Sequence, residues 1–187
     1  SPSDYATHTE AHDRGAVLVA TIFDTFNRVY NHRTQDLLRI ATNGTGVLPE
    51  GRISLDLVRR LAREACEIAV HLLHICIRAL DYCPPHDITF GDYLRALVSA
   101  DLAIAPEDEH GYRLALIEAF RARGIFPDRV NTLSVDSLRW MSPMFTHNQQ
   151  ATFSWLAGQL KPLIRDLVDE SDRHGVHRVS SVAQAEL

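Results

Sequence analysis

Apolar residues recur at intervals of three and four along most of the chain, the spacing that places them on one side of an α-helix. Between about residues 12 and 41 this pattern passes through Val19, Ile22, Phe23, Phe26 and Val29. It predicts a long helix that turns these five residues toward a core.

A second and stronger pattern lies between residues 55 and 80. Its main stripe consists of Val58, Leu61, Ala65, Ile68, Leu72, Ile75 and Ala79. The stripe is widened by Cys66, Ala69, Leu73, Cys76 and Ile77. We therefore predict a helix buried over more than half of its circumference, with a polar side made of Arg60, Arg63, Glu64, Glu67, His71, His74 and Arg78.

Capping residues indicate where the first helices begin and end. Ser54 is a favourable N-cap, and Thr89 followed by Asp92 is close to a capping box. Pro84 and Pro85 end the second helix, because proline cannot continue one. We expect the helix that starts at Thr89 to end near residues 101–102.

The second half of the chain carries similar signals. Acids within residues 106–109 favour the start of a helix there, and Gly124 is suited to end it. Ser134 is placed to cap a short helix. A last helix is predicted over about residues 148–172, with a kink or restart at Pro162.

The pattern shows no convincing strand pair and no internal repeat, so the predicted class is all-α. We expect an irregular bundle of about five to seven helices. The division we predict is a helical subdomain over residues 1–140, followed by a helix and a polar tail over residues 141–187.

Composition excludes several classes of protein. The formal net charge of −5 argues against nucleic acid as a partner, and no apolar run is long enough to span a bilayer. The three cysteines, Cys66, Cys76 and Cys83, have no metal-binding or disulfide spacing, which favours a reducing, cytoplasmic compartment. The chain opens on Ser1 without a leader, which we interpret as a trimmed or processed piece of something longer.

Two groups of residues have the chemistry of a site. Glu67, His71 and His74 share one helical face at spacings of four and three, and a second helix would complete a metal site. The alternative is a solvated polar face, which the flanking arginines favour. Cys83 lies close to His86 and is a weak candidate for a nucleophile.

An aromatic and methionine cluster marks the region after residue 139. Such clusters are more often core or a docking patch than a ligand site. Its members are Trp140, Met141, Met144, Phe145, Phe153 and Trp155.

His12 begins the first helical pattern three residues before Gly15, which would let another segment pack close to the first turn. The block His12–Ala20 is similar to an H-x-x-G-E-V-W-A helix start, Thr89–Asp101 to a T-F … D … A-I-L … A-D helix, and Ile117–Ile125 to W-K-A-F-x-x-R-G-L. In this order the blocks resemble the C-terminal helical subdomain of gluzincin zinc metallopeptidases, the thermolysin and fungalysin group.

The resemblance implies a function for His12. In that family a zinc ion polarises the scissile carbonyl, and a histidine of the C-terminal subdomain stabilises the tetrahedral oxyanion. His12 matches that histidine, while Ala16 replaces the family's glutamate, and the carboxylate that would orient the ring is Glu10 or Asp4. No HExxH occurs in the chain, so zinc belongs to a missing N-terminal catalytic portion, and peptide or protein would be the substrate.

Three hypotheses remain open at this point. The first is the C-terminal portion of a zinc peptidase-like protein, inactive alone. The second is a non-catalytic all-α interaction or regulatory domain that docks through the aromatic cluster. The third is a helical metal or redox sensor that uses Glu67, His71 and His74.

Overall fold

The computed structural model describes residues 10–48, 50–51, 53–140, 144–169 and 175, without side-chain detail at 163–164 and 166–169. Its described residues form α-helices and one 3₁₀ turn and contain no strand, which confirms the all-α class. The helices are α1 (Ala11–Ala41), α2 (Leu55–Ala79), the 3₁₀ turn (Leu80–Tyr82), α3 (Phe90–Ile104), α4 (Tyr112–Arg121), α5 (Val135–Leu138) and α6 (His147–Asp169). None of these helices is long and apolar enough to cross a membrane.

The chain separates into two compact units, Ser1–Trp140 and Met141–Leu187. In the first unit α1 packs on α2 and α4, and α3 packs on α2, α4 and α5. The largest fully buried side chains of this core are Phe120, Ile68, Ile75, Leu94, Leu97 and Leu116. In the second unit α6 runs through Pro162 with no break in its helical assignment.

The capping residues lie where the sequence predicts them. Ser54 accepts a hydrogen bond from the N–H of Asp56 at the start of α2. Thr89 and Asp92 form a complete capping box at the start of α3, although that helix continues to Ile104. These contacts involve neighbours in the chain, so they are decided locally.

The prediction for the start of α4 was wrong by about one turn. The helix begins at Tyr112, and its N-cap is Gly111, whose φ of 71° is left-handed. The acids of residues 106–109 precede the helix, and Asp108 accepts hydrogen bonds from the N–H groups of Tyr112 and Arg113 at 2.7 and 3.0 Å. A carboxylate still satisfies the first amides, but it does so from the preceding loop.

The predicted buried face of α1 is only partly correct: Val29 is buried and Ile22 and Phe26 pack against the core, but Val19 and Phe23 do not. The residues that α1 buries are Val17, Thr21, Thr25, Val29 and Thr34. The hydroxyls of Thr21, Thr25 and Thr34 each donate a hydrogen bond to the backbone carbonyl four residues earlier. The bond from Thr21 to the Val17 carbonyl is 2.7 Å long. Threonine can therefore face the core at little polar cost, while Val19 is 70% and Phe23 62% exposed.

α2 buries a narrower face than its sequence predicts. Ile68, Leu72, Ile75 and Ala79 are buried as expected. In the widened part of the stripe, Leu73 and Ile77 are 57% and 58% exposed, whereas Cys76 packs against the core. The apolar residues of this helix therefore exceed what the described neighbours cover.

Tyr93 of α3 should make stability fall at alkaline pH. Its hydroxyl donates to the Cys76 carbonyl at 3.0 Å, and burial, followed by the nearby Cys76, raises its pKa well above the ordinary value. A raised pKa means that the stabilisation is complete below the unfolded pKa of about 10 and is lost as pH rises further. The free energy of unfolding measured in urea should fall above about pH 10, and it should fall less in Tyr93→Phe. An identical fall in both proteins would contradict this.

Candidate functional site

His12 lies in the first turn of α1, where Glu10 is the N-cap. One oxygen of Glu10 accepts from the N–H groups of His12 and Asp13, at 2.7 and 3.0 Å. The other oxygen lies 2.9 Å from Nδ1 of His12. This side-chain hydrogen bond is the main reason that the pKa of Glu10 is lowered.

The contact determines which nitrogen of His12 is available. An ionised carboxylate only accepts hydrogen bonds, so Nδ1 carries a proton and Nε2 is left for another partner. Of the two carboxylates that the sequence suggests, Glu10 is therefore in position, and Asp4 lies outside the described residues. The remaining nitrogen, when protonated, can donate to a developing negative charge.

The imidazole itself is open to solvent, with 96% of its side chain exposed. It does not line any of three clefts that described residues form. A Cβ added at Gly15 would meet no described atom within 4 Å, so the close packing expected there is not found in the described part of the chain.

An exposed apolar stripe follows His12 along the same helix. Ala16, Val19 and Phe23 come four, seven and eleven residues after His12, which places all four on one side of α1. Phe23 stacks on Phe26 with ring centroids 6.0 Å apart. We call His12, Ala16, Val19 and Phe23 the His12 face.

A separate cleft of about 670 Å³ opens in the first unit, between α1, α2 and the segment before α4. Arg33 comes from α1, and Glu67 and His71 come from α2. The remaining wall is residues 105–110 together with Tyr112. We call this the 105–112 cleft.

A buried ionic group lies behind the cleft. His71 Nε2 is 3.0 Å from Oδ1 of Asp101, and Arg113 donates to Oδ2 at 2.9 Å. Burial raises the pKa of Asp101, whereas the hydrogen bond from His71 and the charge of Arg113 act in the opposite direction. Arg113 also donates to the carbonyls of Ala105 and Pro106, both at 2.8 Å.

Glu64 forms a second buried ionic group. It pairs with Arg33 and Arg60, and Arg33 also bonds Glu67 at 2.8 Å. Burial works to lower the pKa of Arg33, but hydrogen bonds to Glu67 and Tyr112 and the charge of Glu64 raise it on balance. The expected polar face of α2 is thus partly internal, because two arginines compensate the buried carboxylate.

The predicted metal ligands are engaged in different contacts. Glu67 binds Arg33, His71 binds Asp101, and His74 is exposed. No group of three or more potential ligands is present among the described residues. His71 is half-buried, so the solvated-face interpretation was wrong for this residue.

Cys83 and His86 are not partners in the structure. The Cys83 thiol donates to the Ala79 carbonyl at 3.4 Å, and His86 contacts Asp87. Burial, with the charge of Asp92 adding to it, raises the pKa of Cys83. A raised pKa weakens the case for a nucleophile, because the thiolate is the reactive form.

Members of the aromatic cluster fall in both units. Trp140, in the first, lies under Arg95 with the guanidinium carbon 3.7 Å from the ring centroid. In the second unit Phe145 and Phe153 stack at 4.9 Å. Met144 is almost fully exposed, and Met141 lies outside the described residues.

Asp101 and Arg113 were not predicted as site residues from the sequence. Each interrupts an apolar run, Asp101 after Ala100 and Arg113 before Leu114, and a charge inside such a run is the available signal for a buried pair.

The chain matches no family model, no curated protein and no solved structure.

Proposed function

We propose that this chain is the helical portion of a gluzincin-like zinc peptidase, in which His12 donates a hydrogen bond to the oxyanion of the peptide being cleaved. The observation that carries the proposal is the Glu10–His12 contact at the start of α1. It holds the ring by Nδ1 and leaves Nε2 for the substrate, as the resemblance requires of this histidine.

The position on the helix supports the same role. The N-terminus of α1 presents the positive end of the helix dipole, which favours negative charge on a bound oxygen. A donor aimed at the developing oxyanion is worth a factor of about 10² to 10³ in kcat. Zinc would polarise the carbonyl, and in this proposal other polypeptide supplies its ligands.

The His12 face supplies the second line of support. Exposed apolar side chains next to a histidine whose ring is open to solvent are suited to burial under a partner surface. In the proposed assembly the zinc-bearing portion would cover Val19 and Phe23. That portion would also turn His12 from an exposed residue into one wall of a cleft.

The test is made in the full-length polypeptide in which this chain occurs. We expect zinc-dependent cleavage of a fluorogenic peptide, with His12→Ala lowering kcat by about 10²-fold and changing KM little. Glu10→Gln should give a smaller loss and a changed pH profile, since the ring loses its anionic partner. His74→Ala, an exposed histidine on α2, is the matched control and should leave kcat unchanged.

Two results would count against the proposal: a full-length protein without HExxH and without zinc-dependent cleavage, or full activity of His12→Ala. The second outcome would favour a non-catalytic helical interaction domain. The exposed apolar residues of α2, including Leu73 and Ile77, specifically favour that alternative. Partner binding that is lost with Leu73→Asp and retained with His12→Ala would then distinguish it.

A further inference from the structure

Buried residues behind the 105–112 cleft determine which polar atoms of its lining donate and which accept hydrogen bonds. Asp101 has 1% of its side chain exposed, and both of its oxygens are engaged, by His71 and by Arg113. Because the Asp101 carboxylate accepts from Nε2 of His71, the neutral imidazole has its proton there, and Nδ1 is an acceptor. Nδ1 has no hydrogen-bond partner among the described residues.

Arg33, the guanidinium in the cleft wall, is already engaged. It pairs with Glu64 and with Glu67, and the bond to Glu67 is 2.8 Å long. Its side chain is only 14% exposed. An incoming anion would have to displace carboxylates that are already in contact with this arginine, which disfavours phosphate or carboxylate ligands.

The other polar groups of the lining point to the same kind of ligand. Glu67 is half-exposed and uses one oxygen for Arg33, and Glu107 and Glu109 are exposed carboxylates without an ion pair in the described part of the chain. His71 lines the same cleft, and its Nδ1 is a further acceptor. A ligand that satisfies them must bring N–H donors and positive charge.

The cleft is also large enough and held in shape. Its volume of about 670 Å³ lies within the usual range for small-ligand sites, roughly 300–1,000 Å³. Arg113 ties the carbonyls of Ala105 and Pro106 to the buried Asp101. The Tyr112 ring packs on His71 with centroids 4.3 Å apart. A wall held in this way loses little conformational freedom on binding.

From these contacts we propose that the 105–112 cleft binds an organic cation with several N–H donors, the guanidinium or ammonium group of a basic peptide side chain or of a free polyamine. The inference is independent of the role of His12, since none of the residues involved lies on the His12 face. It assigns this cleft a recognition function in addition to the proposed chemistry.

The probes are N-acetyl-arginine amide, N-acetyl-citrulline amide and spermidine, each titrated into the full chain while the histidine ring protons are followed by NMR. The arginine amide should shift His71 and His110 and bind about tenfold more tightly than citrulline amide, which has the same length without the charge. If arginine amide binds more tightly than spermidine, the ligand of the cleft is a peptide side chain. If spermidine binds more tightly, the ligand is a free polyamine.

Variants test the lining independently of folding. Glu107 lies on an exposed segment, so its substitution should not disturb folding. The Glu107→Gln variant should bind arginine amide about three- to tenfold more weakly. Glu118→Gln is the matched control, because that carboxylate pairs with Arg121 on α4 and does not line the cleft, and binding should be unchanged. Equal affinity for the arginine and citrulline amides, tighter binding of inorganic phosphate at the same histidines, or no effect of Glu107→Gln would overturn the proposal.

Discussion

Gly91→Ala is expected to destabilise the first unit by about 3 kcal/mol, the upper part of the range for overpacking a core. Gly91 is buried in the first turn of α3. A Cβ at this position would lie 2.6 Å from Pro127 Cα, 2.7 Å from the Phe126 carbonyl oxygen and 2.9 Å from Pro127 N. All three are backbone atoms, so the clash is relieved only by moving α3 away from that segment.

The matched control is Gly15→Ala. Gly15 is also in a helix, but an added Cβ there meets no described atom within 4 Å. Alanine is the better helix former, so this variant should gain about 0.5–1 kcal/mol. Urea unfolding followed by circular dichroism measures both. Similar midpoints for the two variants would show that the approach of residues 126–127 to α3 is looser than described.

Arg113→Met is expected to cost about 3–5 kcal/mol, the usual penalty for removing one partner of a buried ion pair. Arg113 has 7% of its side chain exposed, and Asp101 has 1%. The substitution removes the hydrogen bonds to Asp101, Ala105 and Pro106 and leaves the buried Asp101 carboxylate without its guanidinium partner. His71 is then the remaining partner of Asp101.

The pH dependence of the Arg113→Met penalty follows from the sign of the shift at Asp101. Burial already raises the pKa of this carboxyl, and loss of the arginine raises it further. A raised folded-state pKa means that stability increases as pH falls and the group is protonated. The gap between wild type and variant should therefore narrow at acid pH.

Arg121→Met is the control, because its exposed pair with Glu118 contributes about 1 kcal/mol or less. Thermal unfolding at several pH values gives both comparisons. A penalty for Arg113→Met no larger than that for Arg121→Met would mean that the buried group does not hold α3 to α4.

These variants separate stability from the proposed functions. Gly91 and Arg113 act on the core of the first unit, whereas His12 and Glu107 are exposed. Loss of peptide cleavage in a stably folded His12→Ala protein would therefore concern chemistry. Loss of cation binding in Glu107→Gln would likewise concern the cleft.

Much of the helical framework was predictable because its signals are local. The capping box of Thr89 and Asp92 and the caps at Ser54 and Ser134 depend on neighbours within three residues. The buried stripe of α2 was found for the same reason, since Ile68, Leu72, Ile75 and Ala79 repeat at helical spacing. The proximity of Glu10 to His12 was also among the alternatives that the sequence suggested.

By itself, the sequence determined the all-α class, the approximate helix limits and the capping residues, because each depends on contacts along one short segment. Only the tertiary structure decided which face of α1 is buried. Threonines that bond their own helix can face the core, so the apolar periodicity assigned Val19 and Phe23 to the core although both are exposed. The tertiary structure alone also joined His71, Asp101 and Arg113, which lie on three helices and meet only when those helices pack.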